Sequence, residues 1–333
     1  MEGPSSLSAN RSSAEITLND VPVREAREFS RRLRFPKPSP SNPRVSDTLP
    51  LMQPDEEIIN RWTNSAPFWQ KNHKIIRQMF APVAQALISD AQISKGQKVL
   101  DVATGPGEPA LSLADIVGPD GRVLGVDPIP EMIAGARRAA DRLGLNNATF
   151  EVASADQLPF PDSTFDAVIS RFGIMFFPSP ADGIREMLRV LTPGRKLALA
   201  VWCSADRNPF HYELSRIIDR YVESPAVDPD APDAFRFADS GKLLTILSEV
   251  GVVAPAERVL QFKIEAPISS EEFWTLRCEM SEAFRGKLAS LSDQVRAEIR
   301  RQALEAFREY SSERGMSFPA EVLILSGSKP PAA

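Results

Sequence analysis

The sequence predicts an α/β fold, a doubly wound and mostly parallel sheet with a helical cap, and three observations support it. Apolar strand patterns alternate with amphipathic helix patterns of about 10–15 residues between residues 98 and 202. A glycine turn within Val99–Pro109 (VLDVATGPGEP) joins the first strand to its helix. The chain has 333 residues, of which 43% are hydrophobic, so it can bury a large core.

Five strands are predicted in the alternating region. They are Lys98–Ala103, Val123–Asp127, Ala148–Val152, Phe165–Ser170 and Lys196–Trp202. The helix after the first strand is expected to begin at about Glu108–Pro109, since proline is tolerated in a first turn. The next helix is expected to end at Gly144. Ser179 and Pro180 are expected to begin the helix before the fifth strand.

The segment before the first strand has two parts. Residues 1–48 are rich in Ser, Pro, Arg and Glu, which predicts a disordered tail. Residues 49–95 carry apolar side chains at three- and four-residue steps, which indicates helices. Trp62, Phe68 and Trp69 crowd one stretch of it, and two interpretations stay open: a helix packed on the sheet, or an N-terminal helical flap over a ligand.

The C-terminal third departs from the alternation. A helix is predicted at Lys242–Val250 and a strand at Val259–Ile264. Residues 268–312 predict two helices, the first opening with a capping box at Ser269–Glu272, and Glu321–Ser326 predicts a final strand. The predicted organisation is a tail (1–48), a flap (49–95), a cofactor-binding core (96–266), a helical cap (267–312), and a final strand with the C-terminal tail (313–333).

Composition excludes several classes of protein. The net charge of −5 and the pI of about 5.4 argue against nucleic-acid partners. No apolar run approaches the roughly 18–20 residues of a membrane span. The N-terminal residues contain no apolar signal core, so a cytoplasmic location is expected. Cys203, Cys278, His73 and His211 have no zinc-ligand spacing, and no metal site is predicted. A homodimer is compatible with the sequence, which does not determine the oligomeric state.

The glycine turn permits two interpretations. Residues 105–110 (GPGEPA) fit the dinucleotide fingerprint G-x-G-x-x-A, and Asp127 follows where an acid would bind ribose hydroxyls, so an NAD(P)-dependent oxidoreductase is one hypothesis. The carboxylate of Asp101 argues against it, because it would repel a diphosphate but would suit a cationic amine or sulfonium. Pro109 also lacks an N–H that a pyrophosphate would use.

Four segments in order resemble the motifs of the class I S-adenosylmethionine-dependent methyltransferases. The first is Asp101-x-Ala103-x-Gly105-x-Gly107, and the later ones are Gly125–Ile133, Ala153–Phe177 and Met187–Trp202. The likeness is closest to the branch of ubiquinone/menaquinone-biosynthesis methyltransferases (methyltransferase type 11). It covers roughly residues 58–327. The resemblance implies a seven-stranded Rossmann-like sheet with one reversed strand, and S-adenosyl-L-methionine as cofactor.

The resemblance also implies roles for individual residues. Asp127 would hold the ribose hydroxyls, and Asp156 would accept a hydrogen bond from the adenine amino group. A helix-capping acid and a solvated loop acid are the respective alternatives. The methionine end would lie against the first motif and the backbone of Arg171 and Phe172, although a structural salt bridge is equally open for the Arg171 side chain. The full implied set is Asp101, Ala103, Thr104, Gly105, Gly107, Asp127, Pro128, Met132, Ala155, Asp156, Gln157, Arg171 and Phe172. Ala103 stands where the family often has glycine, and a methyl group there is tolerable if its φ stays negative.

The resulting hypothesis is methyl transfer to a small, apolar or aromatic acceptor by O- or C-methylation. His211, which follows the fifth strand, is the candidate general base, with a structural histidine as the simpler alternative. Trp69, Phe176 and Trp274 are candidates for the acceptor pocket. The oxidoreductase remains open, and so does a non-catalytic methyltransferase-like binding protein, because the sequence shows no unmistakable base.

Overall fold

The structure is a computed structural model that describes residues 54–223 and 228–332. The predicted tail, residues 1–48, and the first residues of the predicted flap lie outside the described residues.

A mixed sheet of eight strands forms the centre of the described chain. The strands are β1 (Lys98–Val102), β2 (Arg122–Asp127), β3 (Ala148–Val152), β4 (Phe165–Arg171), β5 (Leu191–Trp202), β6 (Val253–Ala266), β7 (Ser311–Ser312) and β8 (Gly315–Ser328). Their order in the sheet is β3-β2-β1-β4-β5-β8-β6, with β7 paired to β8. Strands β1 to β5 run parallel, and β8 lies antiparallel between β5 and β6. The predicted mostly parallel sheet with one reversed strand is therefore confirmed, with the two-residue β7 in addition.

The first five strands lie where the hydrophobic pattern predicts them. Strand β5 begins earlier, at Leu191, because the chain pairs with β4 on both sides of an irregularity next to Pro193–Gly194. Strand β6 is 14 residues long, although the sequence pattern predicts only Val259–Ile264. Most of its side chains are exposed, since it is an edge strand paired only to β8, and it therefore lacks a long apolar run.

Helices before and between these strands position the rest of the chain. The predicted helical stretch ahead of β1 divides into three helices, with Asn72 and Phe80 at the breaks. Helix bounds are α1 (Pro54–Lys71), α2 (His73–Met79), α3 (Ala81–Asp90), α4 (Ala110–Val117), α5 (Pro130–Leu143), α6 (Pro180–Val190), α7 (Pro209–Ile218) and α8 (Lys242–Glu249). Gly144 ends α5 in a left-handed conformation and Ser179 caps α6, as predicted.

The segment between β6 and β7 corrects one prediction. It forms three helices, not two: α9 (Ser270–Met280), α10 (Glu282–Ala289) and α11 (Asp293–Phe307). The predicted Ser269–Glu272 capping box opens α9. The extra break arises because Ser281 leaves the helical conformation and its hydroxyl accepts a hydrogen bond from the N–H of Phe284, which starts a new helix.

Both cysteines are free thiols in packed surroundings. Cys203 is buried and Cys278 is half-buried. Burial raises the pKa of Cys203 to about 11 and that of Cys278 to about 12, so both stay protonated and unreactive near neutral pH. Within the described ranges, the helices are too short or too polar to cross a bilayer.

Candidate functional site

Four neighbouring parallel strands end at one edge of the sheet, and a cavity of about 770 Å³ lies there. The last residues of these strands, Val102, Asp127, Arg171 and Trp202, all line it. Side chains from α1, α7, α9 and α10 complete the walls. Open α/β sheets bind their ligands at this edge, so the cavity is the candidate site.

Most of the residues predicted for cofactor binding come together in this cavity. Those that line it are Ala103, Thr104, Gly105, Asp127, Pro128, Met132, Ala155, Asp156, Arg171 and Phe172. Asp101, Gly107 and Gln157 do not line it. Of the residues predicted for catalysis and the acceptor, His211, Trp69 and Phe176 line it and Trp274 does not.

Asp101 shapes the loop after β1 from inside the protein. Its side chain is fully buried, and its Oδ2 accepts hydrogen bonds from the hydroxyl of Thr104 (2.6 Å) and the backbone N–H of Ala110 (3.1 Å). These bonds tie the loop to the start of α4. Burial raises its pKa to about 7, opposed by the Thr104 bond and the charge of Arg171. Asp101 thus does not line the cavity itself, but it fixes the conformation of the loop that does.

Ala103 corrects a second prediction, because its φ is +60° and not negative. The turn requires this conformation, since the next residue, Thr104, must donate its N–H to Val126 of β2 (2.9 Å). The methyl group is tolerated because Gly173 lies opposite: a Cβ at Gly173 would be 2.4 Å from that of Ala103. Phe172 also has a positive φ, of 62°. Two strained residues therefore stand side by side at the cavity.

Asp127 has the geometry of a hydrogen-bond acceptor for a diol. It is only 7% exposed, its Oδ2 accepts from the N–H of Gly105 (2.9 Å), and its Oδ1 accepts from the N–H of Ile129 (3.0 Å). Each carboxylate oxygen keeps a further acceptor site for a ligand. Burial raises the pKa of Asp127 to about 6, against the two backbone hydrogen bonds.

Most backbone N–H donors of the loop after β1 are already bonded within the protein. The N–H of Gly105 is bonded to Asp127, that of Gly107 to Thr104, and that of Ala110 to Asp101. Pro109 has no N–H, and the next helical N–H is bonded to the carbonyl of Gly107. Because these donors are already used within the protein, the dinucleotide interpretation loses its main support.

The side chain of Arg171 braces the loop from the end of β4. Its guanidinium donates to the carbonyl of Glu108 (3.0 Å) and lies 5.8 Å from the ring centroid of Phe80. Burial lowers the pKa of Arg171 below its usual value, and the charges of Glu108 and Asp101 oppose this shift. This arrangement agrees with the structural role left open for the side chain, and Arg171 also lines the cavity.

Asp156 and Met132 lie on the side of the cavity next to β2 and β3. Asp156 is exposed at the rim, whereas Met132 is 3% exposed and packs with Ala66 and Ile129 in a small apolar cluster. Trp62 and Trp69 of α1 pack against this cluster. The chain ahead of the sheet therefore forms part of the cavity wall.

The opposite side of the cavity is aromatic. Phe172 and Trp202 stack with ring centroids 4.5 Å apart, and the ring of His211 meets Trp202 edge-on at 4.4 Å. The Nε2 of His211 is buried without a hydrogen-bond partner among the described residues. Burial, with a smaller contribution from the charge of Arg277, lowers the pKa of His211 well below 6.5. The imidazole is therefore neutral at physiological pH.

Trp69 and Phe176 line a further part of the cavity wall. Both rings contact Trp62, at 5.7 and 5.1 Å between centroids. The indole N–H of Trp69 donates to the carbonyl of Met280 (3.3 Å), which links α1 to the end of α9. Trp274 lies more than one helical turn before Met280 on α9, and it packs against the main core instead of lining the cavity.

Sequence reasoning missed several cavity residues. Trp202 could have been assigned, because it ends a central parallel strand where ligands bind. Phe80, Arg277 and Phe284 also line the cavity, but they lie on or between helices whose inward faces depend on tertiary packing. The sequence around Arg277 contains no signal that sets it apart from other surface arginines.

Comparison with known proteins supports a common family. A family model described as a methyltransferase domain matches residues 93–231. The ubiquinone/menaquinone biosynthesis C-methyltransferase of Pasteurella multocida (strain Pm70) is 31% identical over 196 residues, which are 58% of this chain and 70% of that protein. The protein of the same description from Ectopseudomonas mendocina (strain ymp) is 38% identical over 130 residues, 39% of this chain and 49% of that one. For most of the first relatives, the aligned part spans about half of their length.

One solved structure supports the fold. A protein of Anabaena variabilis assigned as a methyltransferase of an antibiotic biosynthesis pathway superposes with a TM-score of 0.53 at 15% identity. The likeness covers 74% of this chain and 96% of that one. At this identity the likeness establishes the architecture of the sheet and its helices.

Proposed function

Since this chain belongs to the class I S-adenosylmethionine-dependent methyltransferases, in the branch of the ubiquinone/menaquinone C-methyltransferases, we propose that it transfers a methyl group from S-adenosylmethionine to a small acceptor. The acceptor is mostly apolar or aromatic, and the reaction is an O- or C-methylation. A cytoplasmic location and the absence of a nucleic-acid partner stay predictions from the sequence, which is compatible with a homodimer but does not determine the oligomeric state.

The observation that carries the proposal is the placement of Asp127. Its buried carboxylate ends β2 in the cavity wall, is held by two backbone N–H groups, and has acceptor sites left for both ribose hydroxyls. Met132 and Ala155 supply an apolar surface for the adenine, with Asp156 at the rim for its amino group. The backbone at Ala103–Gly105 would face the methionine end.

When bound, S-adenosylmethionine supplies an activated methyl group on a positively charged sulfur. The protein's part is to align the acceptor with that methyl group and to exclude water, because the positive charge disperses during an in-line transfer. The stacked rings of Phe172 and Trp202 and the ring of Phe176 suit this part, since they form apolar walls next to the loop after β1.

His211 is the proposed proton acceptor where the acceptor atom must lose a proton. Its imidazole is neutral, it lines the cavity, and its Nε2 has no partner among the described residues. A neutral imidazole with an open nitrogen can accept a proton from a phenol or enol hydroxyl. The same burial makes it a weak base, so its contribution depends on a close hydrogen bond to the acceptor.

Titration with S-adenosylhomocysteine and with NADH tests the cofactor. Tight binding of the first and no binding of the second is expected, and the reverse would support the oxidoreductase alternative. A screen of quinols, phenols and polyketide-like acceptors with isotope-labelled methyl donor, read by mass spectrometry, tests turnover. Quinols come first because the relatives' names specify quinone biosynthesis. Cofactor binding without turnover on any acceptor would favour the non-catalytic alternative.

A further inference from the structure

Arg277 is a buried cation in the wall of the cavity. It lies on α9 and is 5% exposed, yet it lines the cavity at the aromatic side. Within residues 54–223 and 228–332 it makes no side-chain hydrogen bond and no ion pair, and its Nε is buried without a partner. An arginine in this state is unusual, because buried charges in proteins are normally paired.

Aromatic contacts do not account for this arrangement. The guanidinium carbon lies 4.0 Å from the ring centroid of Phe210 and 5.8 Å from that of Phe284. Such contacts stabilise the cation but leave its five N–H donors without acceptors. Burial lowers the pKa of Arg277 to about 10, so the side chain remains charged at neutral pH.

The carboxylates near this part of the cavity are engaged elsewhere. Asp219 pairs with Lys287 at 2.6 Å, Glu282 accepts a hydrogen bond from Asn64, and Asp233 accepts from a backbone N–H. Among the described residues, no carboxylate raises the pKa of Arg277, and the Cys278 thiol is the one group that does. The guanidinium of Arg277 therefore lies in the aromatic wall of the cavity without a counter-ion among the described residues.

His211 faces the same region. Its ring contacts Phe210 edge-on at 5.0 Å, on the residue that also supports Arg277, and the charge of Arg277 contributes to lowering its pKa. Within the described ranges, a guanidinium without hydrogen-bond acceptors and an imidazole whose Nε2 has no partner thus both contact the ring of Phe210. Together they can bind a planar oxyanion next to a proton-accepting nitrogen.

We propose that the acceptor is an apolar or aromatic acid, and that Arg277 binds its carboxylate inside the cavity. The inference rests on the proposed function, since it assigns the substrate class of that site. A carboxylate would supply the missing counter-ion and accept from the planar fork of donors. An uncharged acceptor would leave the buried cation unpaired and carry a desolvation cost.

The test uses the full chain saturated with S-adenosylhomocysteine. Calorimetric binding of S-adenosylhomocysteine comes first, and its absence would contradict the proposed function rather than the inference. Benzoate, 2-naphthoate and indole-3-acetate are then titrated beside their uncharged amides, and binding is measured by isothermal titration calorimetry. At least one acid is expected to bind tenfold or more tightly than its amide. Equal binding of every pair, or no binding of any acid, would overturn the inference.

Variants assign the effect to Arg277. Arg277→Met should abolish the preference for acid over amide, whereas Arg277→Lys should keep part of it. The matched control is Arg285→Met, because Arg285 also stacks on a ring, that of Phe68 at 4.5 Å, but lies outside the cavity lining. It should keep the full preference. A preference for the acid that survives in Arg277→Met would overturn the inference.

Thermal melting separates a binding role from a structural one. Removing an unpaired buried charge should leave the Tm of ligand-free Arg277→Met unchanged or higher. A lower Tm together with a retained acid preference would show that Arg277 only supports the fold.

Discussion

Asp127→Asn removes one negative charge from the proposed ribose site and keeps the size of the side chain. In the structure both carboxylate oxygens accept backbone N–H groups, from Gly105 and Ile129, and ribose hydroxyls would use the remaining acceptor sites. A hydrogen bond to a charged group contributes roughly 1.5–3 kcal/mol. We expect the variant to lose about 3 kcal/mol of binding energy, or about a hundredfold in Kd for S-adenosylhomocysteine at pH 8.

The pH dependence follows from the burial of the same carboxyl. Its pKa is raised to about 6, so it is ionised at pH 8 and takes up a proton as the pH falls through 6. The protonated form loses the charge and an acceptor site. Wild-type affinity should therefore weaken by up to about tenfold per pH unit below 6. The amide of the Asp127→Asn variant cannot titrate, so the ratio of the two Kd values should shrink about tenfold between pH 7 and pH 5.

Isothermal titration calorimetry at pH 5, 6, 7 and 8 measures this ratio. Taking the ratio cancels the titration of Asp101, whose pKa is raised to about 7 and which both proteins contain. Glu131→Gln, which removes an exposed charge from the first turn of α5, is the control and should bind as the wild type does at each pH. A ratio that stays constant from pH 5 to 8, or an Asp127→Asn variant with wild-type affinity, would refute the assignment.

Three further changes test the site and its support. Burial raises the folded-state pKa of Asp101 to about 7, so the folded protein binds a proton there more tightly than the unfolded chain does. As the pH falls from 8 to 5, the free energy of unfolding of the wild type should therefore rise by about 2–3 kcal/mol relative to that of Asp101→Asn, as measured by urea unfolding. A relative loss of stability over this pH range would contradict the raised pKa. Gly173→Ala should cost about 1–3 kcal/mol, because its Cβ would be 2.4 Å from that of Ala103. Adding Ala103→Gly to Gly173→Ala should recover part of the lost stability, because it removes the methyl group that clashes. If the effects of the two substitutions simply add, the contact between these positions is disproved. Gly286→Ala is the control, because a Cβ there would meet open space. His211→Asn should lower kcat about a hundredfold on a hydroxyl acceptor with cofactor affinity unchanged, and an unchanged kcat would exclude the base role.

Local patterns in the sequence predict the part of the site that belongs to the sheet. Strands β1 to β4 are short apolar runs between glycine turns and amphipathic helices. Such patterns can be recognised from the local sequence, without knowing which elements pack against them. Asp127 ends one of these runs, and parallel strands bring their carboxyl ends to one edge. The strand ends at this edge could therefore be predicted from local patterns, and the resemblance to the methyltransferase family assigned the expected cofactor residues to them.

The conformation of the loop could not be predicted in the same way. The sequence favours a negative φ at Ala103, but a hydrogen bond to β2 and the space left by Gly173 decide the opposite. Both constraints come from other parts of the sheet edge, about 20 and 70 positions along the chain. A local pattern cannot report such contacts.

The sequence alone determined the class of fold, the positions of its central strands along the chain and the acid at the end of β2, because these depend on hydrophobic periodicity and on neighbours in the chain. Only the tertiary structure decided which face of each flanking helix lines the cavity. On α9 it turns Trp274 toward the core and Arg277 into the cavity, although both residues belong to one short helix. The reason is physical: that helix has apolar and charged residues on several faces, so its orientation is set by the elements that pack against it.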